Sequence, residues 1–168
     1  RSSAGLASRA AAQRPAVPAT AAPQSVAAPS ASGHGEPGGR VPVETIIGVG
    51  QEAKAALNDA GIVWLDEYLE VAASADGRKA LSTQTGIDAK QLLEWTNRAD
   101  LMRVPGVTAG LADLLENAGV DTVKELATRN AVNLHAKLAE VGGADAPAAS
   151  EVADWIGAAK SLPQVITH

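Results

Sequence analysis

Two glycines separated by one residue, Gly48 and Gly50, stand directly before a helix-forming segment that carries Lys54. The backbone N–H groups of such a turn lie beside a helix N-terminus, where an oxygen of a phosphate group is favoured. The second glycine permits close approach of another backbone, and Lys54 adds positive charge one helical turn further on. The chemistry these residues suggest is binding of a nucleic-acid backbone through its phosphates.

The same pattern returns 58 residues later, around Gly106. An apolar-Gly-apolar-Gly turn, followed by a short helix that ends at Ala-Gly, is typical of a helix-hairpin-helix unit. The second copy has Thr108 at the position of Gly50. Five identical pairs carry the match: Gly48 and Gly106, Val49 and Val107, Leu57 and Leu115, Ala60 and Ala118, and Gly61 and Gly119.

The charges around both turns oppose an anion. Residues 41–168 carry ten Lys or Arg against eighteen Asp or Glu, a balance of −8, whereas nucleic-acid affinity depends largely on cations that neutralise phosphates. The acids near the two turns are Glu44, Glu52 and Asp59 in the first copy, and Asp100, Asp113 and Glu116 in the second. We therefore favour a packing role for the glycines and keep phosphate binding through Gly48, Gly50, Lys54 and Gly106 as the alternative.

Other candidate residues predict structure more than chemistry. The adjacent bases Arg78 and Lys79 are expected on a solvated helix face. His135 is the only histidine between residues 43 and 163 and has no second ligand at metal-binding spacing. Cysteine is absent, which excludes disulfides and thiolate chemistry. We predict no catalytic residue, no metal site and no cofactor.

Three tryptophans could stack on bases, but their positions favour a core. Trp95 and Trp155 lie 60 residues apart in matching Glu-Trp and Asp-Trp contexts, and phenylalanine is absent. With few other large side chains available, we expect these two and Trp64 to be packed.

The N-terminal 40 residues differ from the rest. They contain twelve Ala, five of the nine Pro and only three larger aliphatic residues, so they cannot bury enough apolar surface to fold alone. They carry no acid before Glu36, which together with a start other than Met suits a transit-peptide remnant. We expect an extended tail that docks on neighbouring subunits, a plain linker being the alternative. Its candidate partner-binding residues are Arg1, Arg9, Arg14 and Arg40.

Apolar periodicity after residue 42 predicts helices only. We expect helices over 51–60, 63–73, 77–84 and 88–99, the last two capped by Asp76 and Asp88. Later helices should begin at Thr108, at Asp121 or Thr122, at Asn130 and at Ser150. The fold class is thus all-α, a duplicated four-helix unit with tandem helix-hairpin-helix (SAM-like) motifs behind a Pro/Ala-rich tail. The predicted organisation is tail 1–42, first repeat 43–101, second repeat 102–163 and C-terminal tail 164–168.

Three runs carry a resemblance to a known family: Asn97–Val107, Ala118–Ala127 and Asn133–Leu138. They resemble a bacterial and plastid domain-of-unknown-function family built from tandem helix-hairpin-helix-like units, and the similarity covers residues 44–163. The resemblance implies the fold but no reaction, because the family has no assigned activity.

Together these features predict a non-enzymatic peripheral scaffold or linker subunit of a large organellar complex. The family's plastid occurrence and the transit-like tail point to the stromal side of an algal photosystem–antenna supercomplex, which the chain would touch without entering the membrane. The alternatives are a DNA- or RNA-backbone-binding helix-hairpin-helix module and a subunit of a mitochondrial complex.

Overall fold

The computed structural model describes residues 39–168, which all belong to one compact unit. Within this range the chain forms α-helices, two 3-10 turns (Val43–Thr45 and Gly143–Asp145) and one isolated bridge between Pro42 and Trp64. The helices are α1 Gln51–Asp59, α2 Leu65–Ala72, α3 Ala75–Thr85, α4 Ala89–Leu101, α5 Ala109–Asn117, α6 Val123–Thr128, α7 Ala131–Gly142 and α8 Ala149–Ser161. The all-α prediction is confirmed over these residues, whereas residues 1–38 of the predicted tail, with Arg1, Arg9 and Arg14, lie outside them.

Four helices have the polar N-cap residue that the sequence predicts. The carboxylate of Asp88 accepts hydrogen bonds from the first backbone N–H groups of α4. Thr108, Thr122 and Asn130 do the same for α5, α6 and α7. Because these bonds join residues two or three positions apart, local sequence is enough to predict them.

Two other predicted caps are wrong. Ser74, not Asp76, caps α3 by accepting from the N–H of Gly77 at 3.0 Å. Ser150 lies inside α8, where the carboxylate of Glu151 instead accepts from the N–H of Ala148 at 2.8 Å. Each of these helices begins two residues earlier than its predicted cap allows.

The buried side chains form two apolar cores that follow one another along the chain. The first runs from Val43 to Ala99 and contains Trp95, and the second runs from Leu101 to Ala159 and contains Trp155. Met102 packs against both. The predicted burial of Trp95 and Trp155 is confirmed. The same prediction is wrong for Trp64, which is only half-buried and belongs to neither core. The cores change over at the end of α4, close to the predicted repeat boundary, although both lie in one compact unit.

Residues 162–168, which we call the C-terminal strap, return from the second core to the first. Arg103 donates to the carbonyl oxygen of Pro163 at 3.1 Å. Thr167 donates its backbone N–H to Ala73 at 2.8 Å, and Arg78 donates to the carbonyl oxygen of Thr167 at 2.8 Å. The strap is therefore hydrogen-bonded at both ends.

Arg78 corrects a sequence prediction. It is only 5 % exposed, and its guanidinium also donates to the carbonyl oxygens of Ala72 and Ala73 at the end of α2. The expectation of a solvated face is wrong for Arg78, because α3 turns this side chain back onto α2, and holds only for Lys79.

No helix in residues 39–168 has both the length and the apolar character required to cross a bilayer.

Candidate functional site

The first glycine turn joins residues 46–50 to the start of α1. Gly48 has φ +100°, a left-handed conformation that favours glycine. Val49 donates its backbone N–H to Ile46 at 3.2 Å, so this donor is already used inside the turn. Gly50 is the N-cap of α1 and has φ −78° and ψ 175°, which any residue adopts.

The second turn has the same backbone geometry. Gly106 has φ +87°, and Val107 donates to Val104 at 3.0 Å. Thr108 has φ −82° and ψ 172°, close to the values of Gly50. Thr108 thus changes the side chain of the turn without changing its backbone, and its hydroxyl accepts from Leu111 at 3.4 Å. The glycine that phosphate binding would need at this position is not required by the fold.

The helices after the two turns also end alike. Gly61 and Gly119 have φ +84° and +83°, as the sequence predicts for a residue that ends a helix. The next residue in each copy, Ile62 or Val120, donates to the leucine five positions back at 2.9 Å. The two turn–helix segments, 46–62 and 104–120, therefore share these backbone hydrogen bonds at both ends.

A tryptophan from a later helix lies on each left-handed glycine. A Cβ atom added at Gly48 would be 2.9 Å from Nε1 of Trp95, and one at Gly106 would be 3.2 Å from Nε1 of Trp155. Both distances are shorter than ordinary carbon–nitrogen contacts. The absence of a side chain at these glycines is thus needed for helix packing inside each half.

Arg98 adds a contact that has no counterpart in the second copy, where Ala158 occupies the matching position. Its Nη1 donates to the carbonyl oxygen of Ile47 at 2.8 Å. Its other nitrogens lie 3.1 Å from Oδ1 of Asp113 and 2.7 Å from Oε2 of Glu116, both on α5. Arg98 consequently joins the first turn to the second half.

The partly buried setting of this ion pair affects the pKa of Glu116. Burial raises the pKa of the Glu116 carboxyl above its ordinary value, and the Arg98 guanidinium opposes that rise. Sequence reasoning missed Arg98 because its carbonyl partner lies 51 residues away. The one available signal was that Arg98 and Ala158 break the match between the two copies.

The cation predicted for a phosphate site is already paired. Nζ of Lys54 lies 2.6 Å from Oε1 of Glu44. A groove of about 410 Å³ runs beside the first turn, and Glu52 and Asp88 line it together with Gly48 and Gly50. A phosphate in this groove would meet two carboxylates and no unpaired lysine, which is unfavourable.

Arg40, a predicted partner-binding cation, is bound to its own chain. Its Nη2 lies 2.7 Å from Oδ2 of Asp66 and 2.9 Å from Oε1 of Glu67, and its guanidinium stands 5.3 Å from the ring centroid of Trp64. The hydrogen bond from Arg40 lowers the pKa of Asp66. Backbone N–H groups of Val63 and Trp64, with Arg40, lower that of Glu67. A role for Arg40 in partner binding stays a prediction.

No potential metal centre is formed by the residues that the structure describes, since nowhere among them do three His, Cys, Asp or Glu side chains come together in a suitable way. His135 lies half-buried on α7, next to the buried Leu134. The described residues build a pair of packed turns, one in each half.

Comparison with protein families adds one finding. The family model described as "Domain of unknown function (DUF4332)" matches residues 47–162, more than half of the chain. The chain belongs to the DUF4332 family. The matched region contains Gly48, Gly106, Trp95, Trp155 and Arg98, and it stops at the first residue of the C-terminal strap. No curated protein and no solved structure matches the chain.

Proposed function

We propose that this DUF4332 protein is a non-enzymatic, peripheral scaffold subunit of a large organellar complex. The observation that carries the proposal is the packing of Trp95 on Gly48 and of Trp155 on Gly106. The glycines that would hold phosphate in a nucleic-acid-binding unit are used here to bring helices together. A helical body with two apolar cores and a charge balance of −8 over residues 41–168 suits contacts with proteins.

The identity of the complex is proposed from the sequence. The family resemblance includes plastid members, and residues 1–40 have the composition of a transit-peptide remnant. We therefore propose the stromal side of an algal photosystem–antenna supercomplex, with a mitochondrial complex as the variant. Localisation of a fluorescent fusion of the full-length protein distinguishes the two organelles.

The alternative function is binding of a DNA or RNA backbone through Gly48, Gly50 and Lys54. It is favoured by the backbone of the first turn, which ends at the N-terminus of α1. It is opposed by the Lys54–Glu44 pair at 2.6 Å and by the carboxylates of Glu52 and Asp88 in the adjoining groove. This function predicts binding that weakens with salt and is lost in Gly50→Glu and Lys54→Glu.

The scaffold proposal is tested by removing residues 1–38 and measuring retention in the native complex. The truncation ends before Gly39 because Arg40 bonds to α2 and belongs to the folded body. We expect helical circular dichroism to persist while retention in the purified complex falls. Equal retention of both forms would overturn the proposal that the tail docks on neighbouring subunits.

A further inference from the structure

An apolar groove of about 470 Å³ lies between residues 39–41, α2 and the C-terminal strap. We call it the strap groove. Val41, Leu65, Leu69 and Val165 supply its aliphatic lining. Its volume falls in the range of ordinary ligand pockets, but it is an open groove with three walls from different parts of the chain.

The walls of the strap groove are fixed by hydrogen bonds. Leu65 donates its backbone N–H to Val41 at 2.7 Å, which attaches the first wall to α2. The strap on the other side is held by Arg103 at Pro163 and by Arg78 at Thr167. Val165 lies between these two anchors. An occupant would therefore meet a formed surface and lose little free energy in ordering it.

The rim of the groove and the side chains paired with it carry more carboxylates than cations, four (Asp66, Glu67, Glu70 and Asp100) against two guanidinium groups (Arg40 and Arg103). The two cations at the rim are already bound, Arg40 by Asp66 and Glu67, and Arg103 by Asp100 at 2.7 Å. Glu70, also at the rim, forms no ion pair with any side chain of residues 39–168. Its carboxylate is the charge left to attract a ligand.

We propose that the strap groove docks a basic segment of a partner protein, with aliphatic side chains in the groove and a Lys or Arg beside Glu70. Burial of the aliphatic groups supplies the affinity, and the charge pair sets orientation and specificity. The inference rests on the proposed scaffold function, for which it names a contact surface. The negative rim and the −8 balance of residues 41–168 disfavour an anionic lipid surface, a nucleic acid or a second copy of this acidic body.

The test uses the full-length protein and a short synthetic peptide of alternating leucine and lysine. Two matched peptides replace every leucine by serine, or every lysine by glutamate. Binding is followed by the NMR shifts of the methyl groups of Val41, Leu65, Leu69 and Val165. The variant Glu70→Lys reverses the rim charge, and Glu94→Lys makes the same change at an exposed position on α4 outside the groove.

We expect the leucine–lysine peptide to shift the groove methyl groups and both matched peptides to leave them unchanged. Glu70→Lys should weaken binding about tenfold, with Glu94→Lys close to the parent. Equal weakening by both variants, or binding without methyl shifts, would overturn the proposal, because either result means unspecific attraction. Concentration-dependent self-association that Glu70→Lys abolishes would overturn it in favour of a second copy. None of these outcomes changes whether the chain resides in a large complex, which is measured separately.

Discussion

The indole nitrogen of Trp95 lies against Gly48 so closely that a Cβ at this glycine would be 2.9 Å away from it. Trp155 and Gly106 repeat the relationship in the second half, at 3.2 Å. A turn that suggests phosphate chemistry in the sequence is thus a point of contact between helices.

We predict that Gly48→Ala destabilises the protein by about 2–4 kcal/mol, because it combines a left-handed backbone with a clash against a buried ring. Gly106→Ala should cost less, since its Cβ has slightly more room. Gly50→Thr is the control and should change stability by about 0.5 kcal/mol or less, as Thr108 already occupies the matching position. Urea unfolding measures all three, and a cost for Gly50→Thr equal to that of Gly48→Ala would contradict the packing role.

The buried Arg78 and its exposed neighbour Lys79 provide a second variant and its matched control. Arg78→Met removes the side-chain donor to the carbonyl oxygens of Ala72 and Thr167, and one of the two donors to Ala73, and we expect a loss of about 1–3 kcal/mol in the free energy of unfolding. Lys79→Met removes the same charge at an exposed position and should lie within about 0.5 kcal/mol of the parent. Thermal unfolding compares the two, and similar melting temperatures for both variants would show that the strap anchor contributes nothing.

The ion pair of Arg98 predicts a pH dependence. In Arg98→Leu the partly buried carboxylate of Glu116 loses the cation that opposes the rise of its pKa. A carboxyl whose pKa is higher in the folded than in the unfolded chain lowers stability as the pH rises through the folded pKa. The variant should therefore lose more free energy of unfolding, relative to the parent, at pH 7 than at pH 4. We expect about 1–3 kcal/mol at pH 7. Urea unfolding at both pH values measures it, with Lys137→Met as an exposed control, and a cost independent of pH would refute the assignment.

The ion pairs of Arg40 with Asp66 and Glu67 predict a pH dependence of stability with the opposite sign. The pKa values of Asp66 and Glu67 lie below their usual values of 3.8 and 4.5, so their contribution is present at neutral pH and is lost as the pH falls through the lowered values. Arg40→Gln should therefore be less stable than the parent at pH 7 and approach it in acid. Part of the Glu67 contribution should remain, because backbone N–H groups of Val63 and Trp64 also hold that carboxylate. Acid titrations of both proteins by circular dichroism test this, and parallel curves would contradict it.

The sequence predicts best what depends on neighbouring residues. Asp88, Thr108 and Asn130 cap their helices through bonds that span two or three positions, and the left-handed Gly61 ends α1 as expected. The recurrence of Trp95 and Trp155 was also sufficient to place them in the cores.

The residues that join distant segments could not be predicted in this way. Arg78 bonds to Thr167, 89 residues away, and Arg98 bonds to Ile47, 51 residues away. Neither contact has a periodicity or a spacing that marks it, so an arginine in these positions looks like any other surface cation. The strap groove could not be predicted for the same reason, because its walls come from three separate parts of the chain.

The central claim is that the full-length protein resides in one large protein complex and not on nucleic acid. The direct measurement is sedimentation of a native extract, with and without nuclease, followed by detection of the intact chain. We predict that the chain sediments with a single large assembly, in constant ratio to its other subunits, at a position that nuclease does not change. A chain that sediments as a free monomer, or that leaves the large fraction after nuclease treatment, would contradict the account.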